Sequence, residues 1–298
     1  MPAVTGLVYL VPTIIVIVLA SAIPVPSKDE QEIHSQRRPM TRQDQKNFIK
    51  KFWPGLTLLI LLELSVFVLM TIRDLFQSEI WSELFPEQRV DSSVYLATEL
   101  PVTILTILSM CLLSFIKSSR TSVILQHGVF VWCGCVMFAS QVLFDAEIIG
   151  PVTWFIAIGY CTMMTYSPIT SMLVDRLFGA MQVTGTVTFT MNLSAMVTNF
   201  GTIALLLFKG VQDRKQTEQG NTLNSVNFFS WTVYVVSIMV IVLSCGSLLC
   251  WWTRLKSGKS FWDDIEQDAK KEKTKKALPP LPKGKRLTVD DENMAIDI

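Results

Sequence analysis

The sequence predicts an all-α integral membrane protein that crosses the bilayer about seven times. Half of its 298 residues are hydrophobic and only 17% are charged, and the charges sit in short blocks between long apolar runs. A run of about 20 apolar residues crosses a ~30 Å hydrocarbon core at 1.5 Å per residue. A soluble helix needs only one apolar stripe and would show charges every turn or so; here the apolar character runs all the way round.

The first span is Val4–Ala22, interrupted by Pro12, and a basic linker follows over residues 24–51. Ala20-Ser-Ala22 resembles a signal-peptide cleavage site, but no Lys or Arg precedes the apolar stretch, as such a signal requires, so the segment is kept as a span. The second span begins at Phe52-Trp53-Pro54 and runs to Ile72, with helix continuing toward Trp81. After a polar stretch, Ser82–Ser93, come the third span, Val94–Ile116 with Pro101 inside it, the link Lys117–Arg120, and the fourth span, Thr121–Phe144. Asp145–Gly150 turns into the fifth, Pro151–Val174 with Pro168 near its end, and Asp175-Arg176 reads as a short link. The sixth covers Gln182–Phe208, the polar loop Lys209–Val226 follows, and the seventh is Asn227–Trp252. Interior prolines are tolerated in membrane helices because neighbours satisfy the freed carbonyls. Residues 253–298 have the composition of a disordered tail: a lysine cluster from Lys270 to Lys276, a Leu278-Pro-Pro-Leu-Pro282 spacer and an acidic end.

Basic residues resist translocation. With the N-terminus outside and the tail cytoplasmic, all but five of the 26 Lys and Arg fall on the inner side; the five are Arg73, Arg89, Lys209, Arg214 and Lys215. The near-neutral net charge gives no nucleic-acid footprint. The six cysteines lie in apolar runs and read as packing residues, with no metal or disulfide framework among them. No cofactor motif, metalloprotease His pair, nucleophile elbow or phosphate loop is present, so the chain does not read as an enzyme.

Charges within the spans ask for an explanation, since each costs at least ~2.5–3.5 kcal/mol on insertion scales. Glu63 lies ten residues past Trp53, about 15 Å deep at helical rise and so near the midplane. It is either a proton-coupling or solute-contacting group in a polar cavity, or a neutral carboxyl bonded to a neighbouring helix. Arg73 and Asp74 stand at the outer end of the same helix; adjacent residues point about 100° apart, so partners on other helices are expected, with Glu99, Asp145 and Glu147 the candidates for Arg73. Asp175 and Arg176 read as a gating latch or a helix-end charge cluster, and His127 as a packing residue. Thr188, Asn192, Ala195 and Asn199 recur at spacings of four, three and four and share one face of the sixth span, which with Gly185 and Gly201 either lines a pathway or packs closely on a helix.

Seven spans with an outer N-terminus also fit a G-protein-coupled receptor. The long first inner loop, the absence of an Asn-Pro-x-x-Tyr pattern in the seventh span and the lack of a cysteine for an external disulfide oppose that reading. A non-transporting membrane scaffold is the other alternative.

Three stretches, Arg73-Asp-Leu-Phe-Gln-Ser-Glu-Ile-Trp81, Phe144-Asp-Ala-Glu-Ile-Ile-Gly150 and Tyr166-Ser-Pro-Ile-Thr-Ser-Met-Leu-Val-Asp-Arg-Leu177, resemble an uncharacterised family of membrane proteins similar to the major facilitator transporters. One helix, a basic loop and six helices is the layout of such a transporter from its sixth helix onward. The resemblance implies that residues 52–252 form one six-helix half, built of two inverted three-helix repeats, and that residues 1–23 correspond to the preceding helix. It also implies a small solute as ligand, bound between two halves, so that this chain is a truncated product or pairs with a missing N-terminal half or with a second copy.

Overall fold

The computed structural model describes residues 10, 13–18, 21, 41–86, 92–181, 187–219 and 225–257. The central parts of the linker, Gly185, Thr184, Thr186 and Arg89 lie outside the described residues, as does the tail beyond Ser257. The chain divides into two units, Met1–Gly258 and Lys259–Ile298. Among the described residues there is no strand.

The helices are α1 (Arg42–Leu75), α2 (Gln77–Leu84), α3 (Ser92–Ser114), α4 (Ser119–Asp145), α5 (Pro151–Pro168), α6 (Val174–Met181), α7 (Val187–Gln219) and α8 (Ser225–Ser257), with a π-helical segment, Ile169–Leu173, between α5 and α6. Five of them (α1, α3, α4, α7 and α8) are long and apolar enough to cross a membrane. The chain is therefore a multi-pass, all-α membrane protein. The fifth expected span falls short on composition, because Thr162, Thr165, Tyr166, Ser167 and Pro168 dilute its apolar run. Much of the first span lies outside the described residues.

Several boundaries differ from expectation. α1 begins at Arg42, ten residues before the expected start of the span at Phe52, because Phe48 is only 1% exposed and packs its ring on Phe52 and Phe178. α7 runs on to Gln219, through half of the expected loop. Asp175 and Arg176 are not in a link: they open α6, reached from α5 without leaving helical conformation. The cause of the π segment is Pro168, which has no N–H to give the preceding turn. Side chains take over the nearby carbonyls, Thr170 Oγ1 donating to Tyr166 O (3.2 Å) and Ser167 O (3.1 Å) and Ser171 Oγ donating to Ser167 O (2.6 Å).

α1 is the axis of the bundle. Leu56, Leu59, Leu62, Val66, Leu69 and Ile72 form a buried stripe at spacings of three and four. Half of its most apolar window is buried, against 17% for α7. α1 packs on α5, α7 and α8, α5 packs also on α3 and α4, and α4 packs on α8. Exchanging α1, α3 and α4 for α5, α7 and α8 maps this set of contacts onto itself: α1–α7 becomes α5–α3, α1–α8 becomes α5–α4, while α1–α5 and α4–α8 return to themselves.

The outer faces are apolar, as lipid requires and water would not tolerate over such an area. Leu96, Leu100, Ile104, Leu108 and Leu112 of α3 and Val235, Ile238, Val242 and Leu249 of α8 are all exposed. Trp231 and Trp252 are exposed near opposite ends of α8, about 31 Å apart along the axis, which matches two interfacial tryptophans bracketing a ~30 Å core.

Candidate functional site

Glu63 sits on α1 midway between Trp53 and Arg73, so about 15 Å of helix separates it from each end of the span. It is 6% exposed and accepts a hydrogen bond from Ser194 Oγ of α7. Phe67, one turn on from Glu63, meets Tyr166 of α5 with ring centroids 5.7 Å apart. α1, α5 and α7 thus converge near one buried carboxyl. Thr190, one turn before Ser194, is also buried, and its hydroxyl has no hydrogen-bond partner among the described residues.

The stripe of α7 that faces α1 is therefore Thr190, Ser194 and Thr198, while Thr188, Asn192, Ala195 and Asn199 are turned away from α1 and all four are exposed. Gly201 explains the choice. It continues the inward stripe three residues after Thr198, and a Cβ there would strike the tip of Leu64 of α1 and touch Val68. Only that face lets the two backbones approach.

Arg73 finds the partner expected among three. Its guanidinium is 2% exposed and holds Glu99 of α3 in a two-pronged pair, Nη2 to Oε1 at 2.6 Å and Nη1 to Oε2 at 3.3 Å. Gln77 of α2 donates to the same carboxylate at 3.1 Å. The guanidinium lies 4.3 Å over the Phe155 ring of α5, and Gly159 makes room for it: a Cβ there would stand 2.7 Å from Nη2. Asp74 comes within 3.6 Å of Arg73 itself, contrary to the expectation that neighbours would not pair, but it is half-exposed and Glu99 holds the better geometry. Gln77, Phe155 and Gly159 were missed in the sequence; a glycine between Ile158 and Tyr160 in an apolar helix was the available signal.

Asp145 belongs to a different network. It accepts from Tyr234 Oη at 2.6 Å and from Gln141 Nε2 at 2.9 Å, while Gln141 Oε1 accepts from Trp154 Nε1 at 3.0 Å. This chain fastens α4, α5 and α8 together. Glu147 is a turn residue: its φ is 58°, its N–H bonds Phe144 O at 2.9 Å and the N–H of Ile148 bonds Leu143 O at 2.9 Å. That is a Schellman closure of α4 with a side chain at the position glycine prefers. Glu147→Gly is accordingly expected to stabilise the fold by about 1 kcal/mol, read as a raised unfolding midpoint. A fall in that midpoint would show the Glu147 side chain to be holding something.

Arg176 Nη1 reaches back to Lys117 O, the α3–α4 link, at 3.4 Å, while Asp175 is exposed. His127 is fully buried and packs as expected, with its ring nitrogens on Val123 O (2.8 Å) and Ser247 Oγ (3.1 Å).

The profile of a family of unknown function (DUF5690) matches residues 1–254. No curated protein and no solved structure matches the chain.

Proposed function

Because the chain belongs to that family, whose description assigns no activity, we propose from the geometry that it is a membrane carrier rather than an enzyme, forming one half of a secondary transporter of the major-facilitator type. In this reading Glu63 takes and releases the coupling proton or cation while a small solute passes. The single observation that carries it is the buried Glu63–Ser194 contact at half-depth. An ionisable group at that depth is costly and, by default, functional. It joins α1 to α7, two helices whose separation would expose it.

Three further features support the reading. The helix contacts are symmetric under exchange of the first and last three spans, as two repeats of one design would make them. The π segment beside Tyr166 gives α5 and α6 a place to bend. Thr188, Asn192 and Asn199 present a polar edge outward from the six-helix unit, which lipid would penalise and a second half or a second copy would cover. By the distribution of basic residues, the start of α1 and the tail are cytoplasmic.

Dicyclohexylcarbodiimide, which attacks protonated carboxyls in apolar surroundings, tests the assignment without knowledge of the solute. Purified protein in lipid is expected to acquire an adduct on the α1 peptide, faster at acid pH and absent in Glu63→Gln. A folded wild-type protein that never reacts at Glu63 would rule out the coupling role.

A further inference from the structure

Where the N-terminal part of α1 meets the C-terminal part of α8, an open recess is lined by Lys51, Gly55, Trp251 and Thr253 among others. Trp251 is 2% exposed and packs against Phe52 with tilted rings, yet its indole Nε1 is buried without a hydrogen-bond partner among the described residues. An orphaned N–H carries a desolvation penalty of about 1–3 kcal/mol, so its retention asks for an acceptor that comes from outside. The indole is seated against Gly55, where a Cβ would stand 2.7 Å from Trp251 Cε2. The tight seat is built for this ring.

The height of the recess in the membrane identifies the kind of acceptor. Exposed Trp53 and Trp252 flank it, and such residues mark the level of the lipid headgroups. Lys46, Lys50 and Lys51 of α1 bring positive charge to the same level, and Arg254 and Lys256 follow Thr253 in the sequence. Glu63 lies eight residues further along α1 than Gly55, about 12 Å away along the axis, so the recess is separate from the midplane carboxyl. We propose that this recess binds the phosphodiester headgroup of an anionic phospholipid, with the Trp251 N–H and the lysine charge as its recognition elements. A basic cleft between spans at the membrane surface has the chemistry for such a ligand, and the proposal does not depend on the transport reading.

The test is native mass spectrometry and thermal unfolding of the full chain in detergent, with phosphatidylglycerol, phosphatidylcholine and inorganic phosphate added separately. Phosphatidylglycerol is expected to remain bound and raise the unfolding temperature; the other two are not. Replacing Trp251 with 3-benzothienylalanine, in which sulfur takes the place of the indole N–H, keeps the bicyclic ring and removes the donor. It is expected to weaken phosphatidylglycerol retention about tenfold, the loss of one hydrogen bond to a charged acceptor. Its unfolding temperature without lipid should stay at the wild-type value, because the N–H has no partner among the described residues. Equal stabilisation by phosphatidylcholine or inorganic phosphate would overturn the proposal. So would a benzothienylalanine variant that binds phosphatidylglycerol like wild type or is destabilised before lipid is added.

Discussion

Glu99→Ala is expected to destabilise the membrane domain by about 3 kcal/mol, while Arg73→Met costs about 1 kcal/mol or less. The asymmetry follows from burial. The Arg73 side chain is 2% exposed and the Glu99 side chain 39%. Removing Glu99 strands a guanidinium that cannot lose its charge and whose remaining neighbours are Phe155, Gly159 and a half-exposed Asp74. Removing Arg73 leaves Glu99 able to turn toward water or headgroups, still with Gln77 beside it. A methionine fills much of the vacated space with apolar atoms, a replacement that buried ion pairs tolerate well. Chemical unfolding in mixed micelles reads both values. Equal losses would mean that Arg73 is wetter than its burial indicates.

Glu83→Ala is expected to open the start of α8 at a cost of about 2 kcal/mol, a figure set by two charge-assisted hydrogen bonds at a helix N-terminus and reduced for their exposure. Glu83 accepts from Ser225 N at 2.7 Å and Val226 N at 2.9 Å, and Glu79 accepts from Ser225 Oγ at 3.2 Å. These amides belong to the first turn of a helix and have no partner within it. The carboxylate of α2 thus caps a helix that lies more than 140 residues away in sequence and offsets the positive end of its dipole. Amide exchange across residues 225–228 should accelerate by about 30-fold, and Glu83→Gln should recover part of the protection. Unchanged exchange there would show that packing alone holds α8 in place.

The fold was legible where hydrocarbon makes the rule. Long apolar runs located the spans, and Glu63 and Arg73 stood out because charge there is expensive. The partner of Arg73 was narrowed to three acids, since all three sit at the same level as Arg73; which of them meets it is decided by the tilt and rotation of α3, which no local pattern encodes. The polar helix α7 was harder. Thr188, Asn192 and Asn199 repeat with helical spacing, but so do Thr190, Ser194 and Thr198, so both stripes look equally fit to turn inward. Gly201 selects the second by letting α7 close on Leu64 and Val68. The capping role of Glu83 was invisible because its partners are backbone amides. The helix that continues past Val174 was read as a link, because an Asp-Arg pair after a long apolar run resembles a helix end.

Cysteine substituted at Ser194 in a chain freed of its native cysteines, reconstituted in lipid and exposed to a membrane-impermeant methanethiosulfonate, tests the pathway most directly. Modification at 194, with a cysteine at lipid-facing Leu207 left unreacted, is the result expected of a carrier whose α1–α7 contact opens to water. A thiol at 194 that stays sealed from the aqueous reagent, in protein otherwise folded, would contradict it.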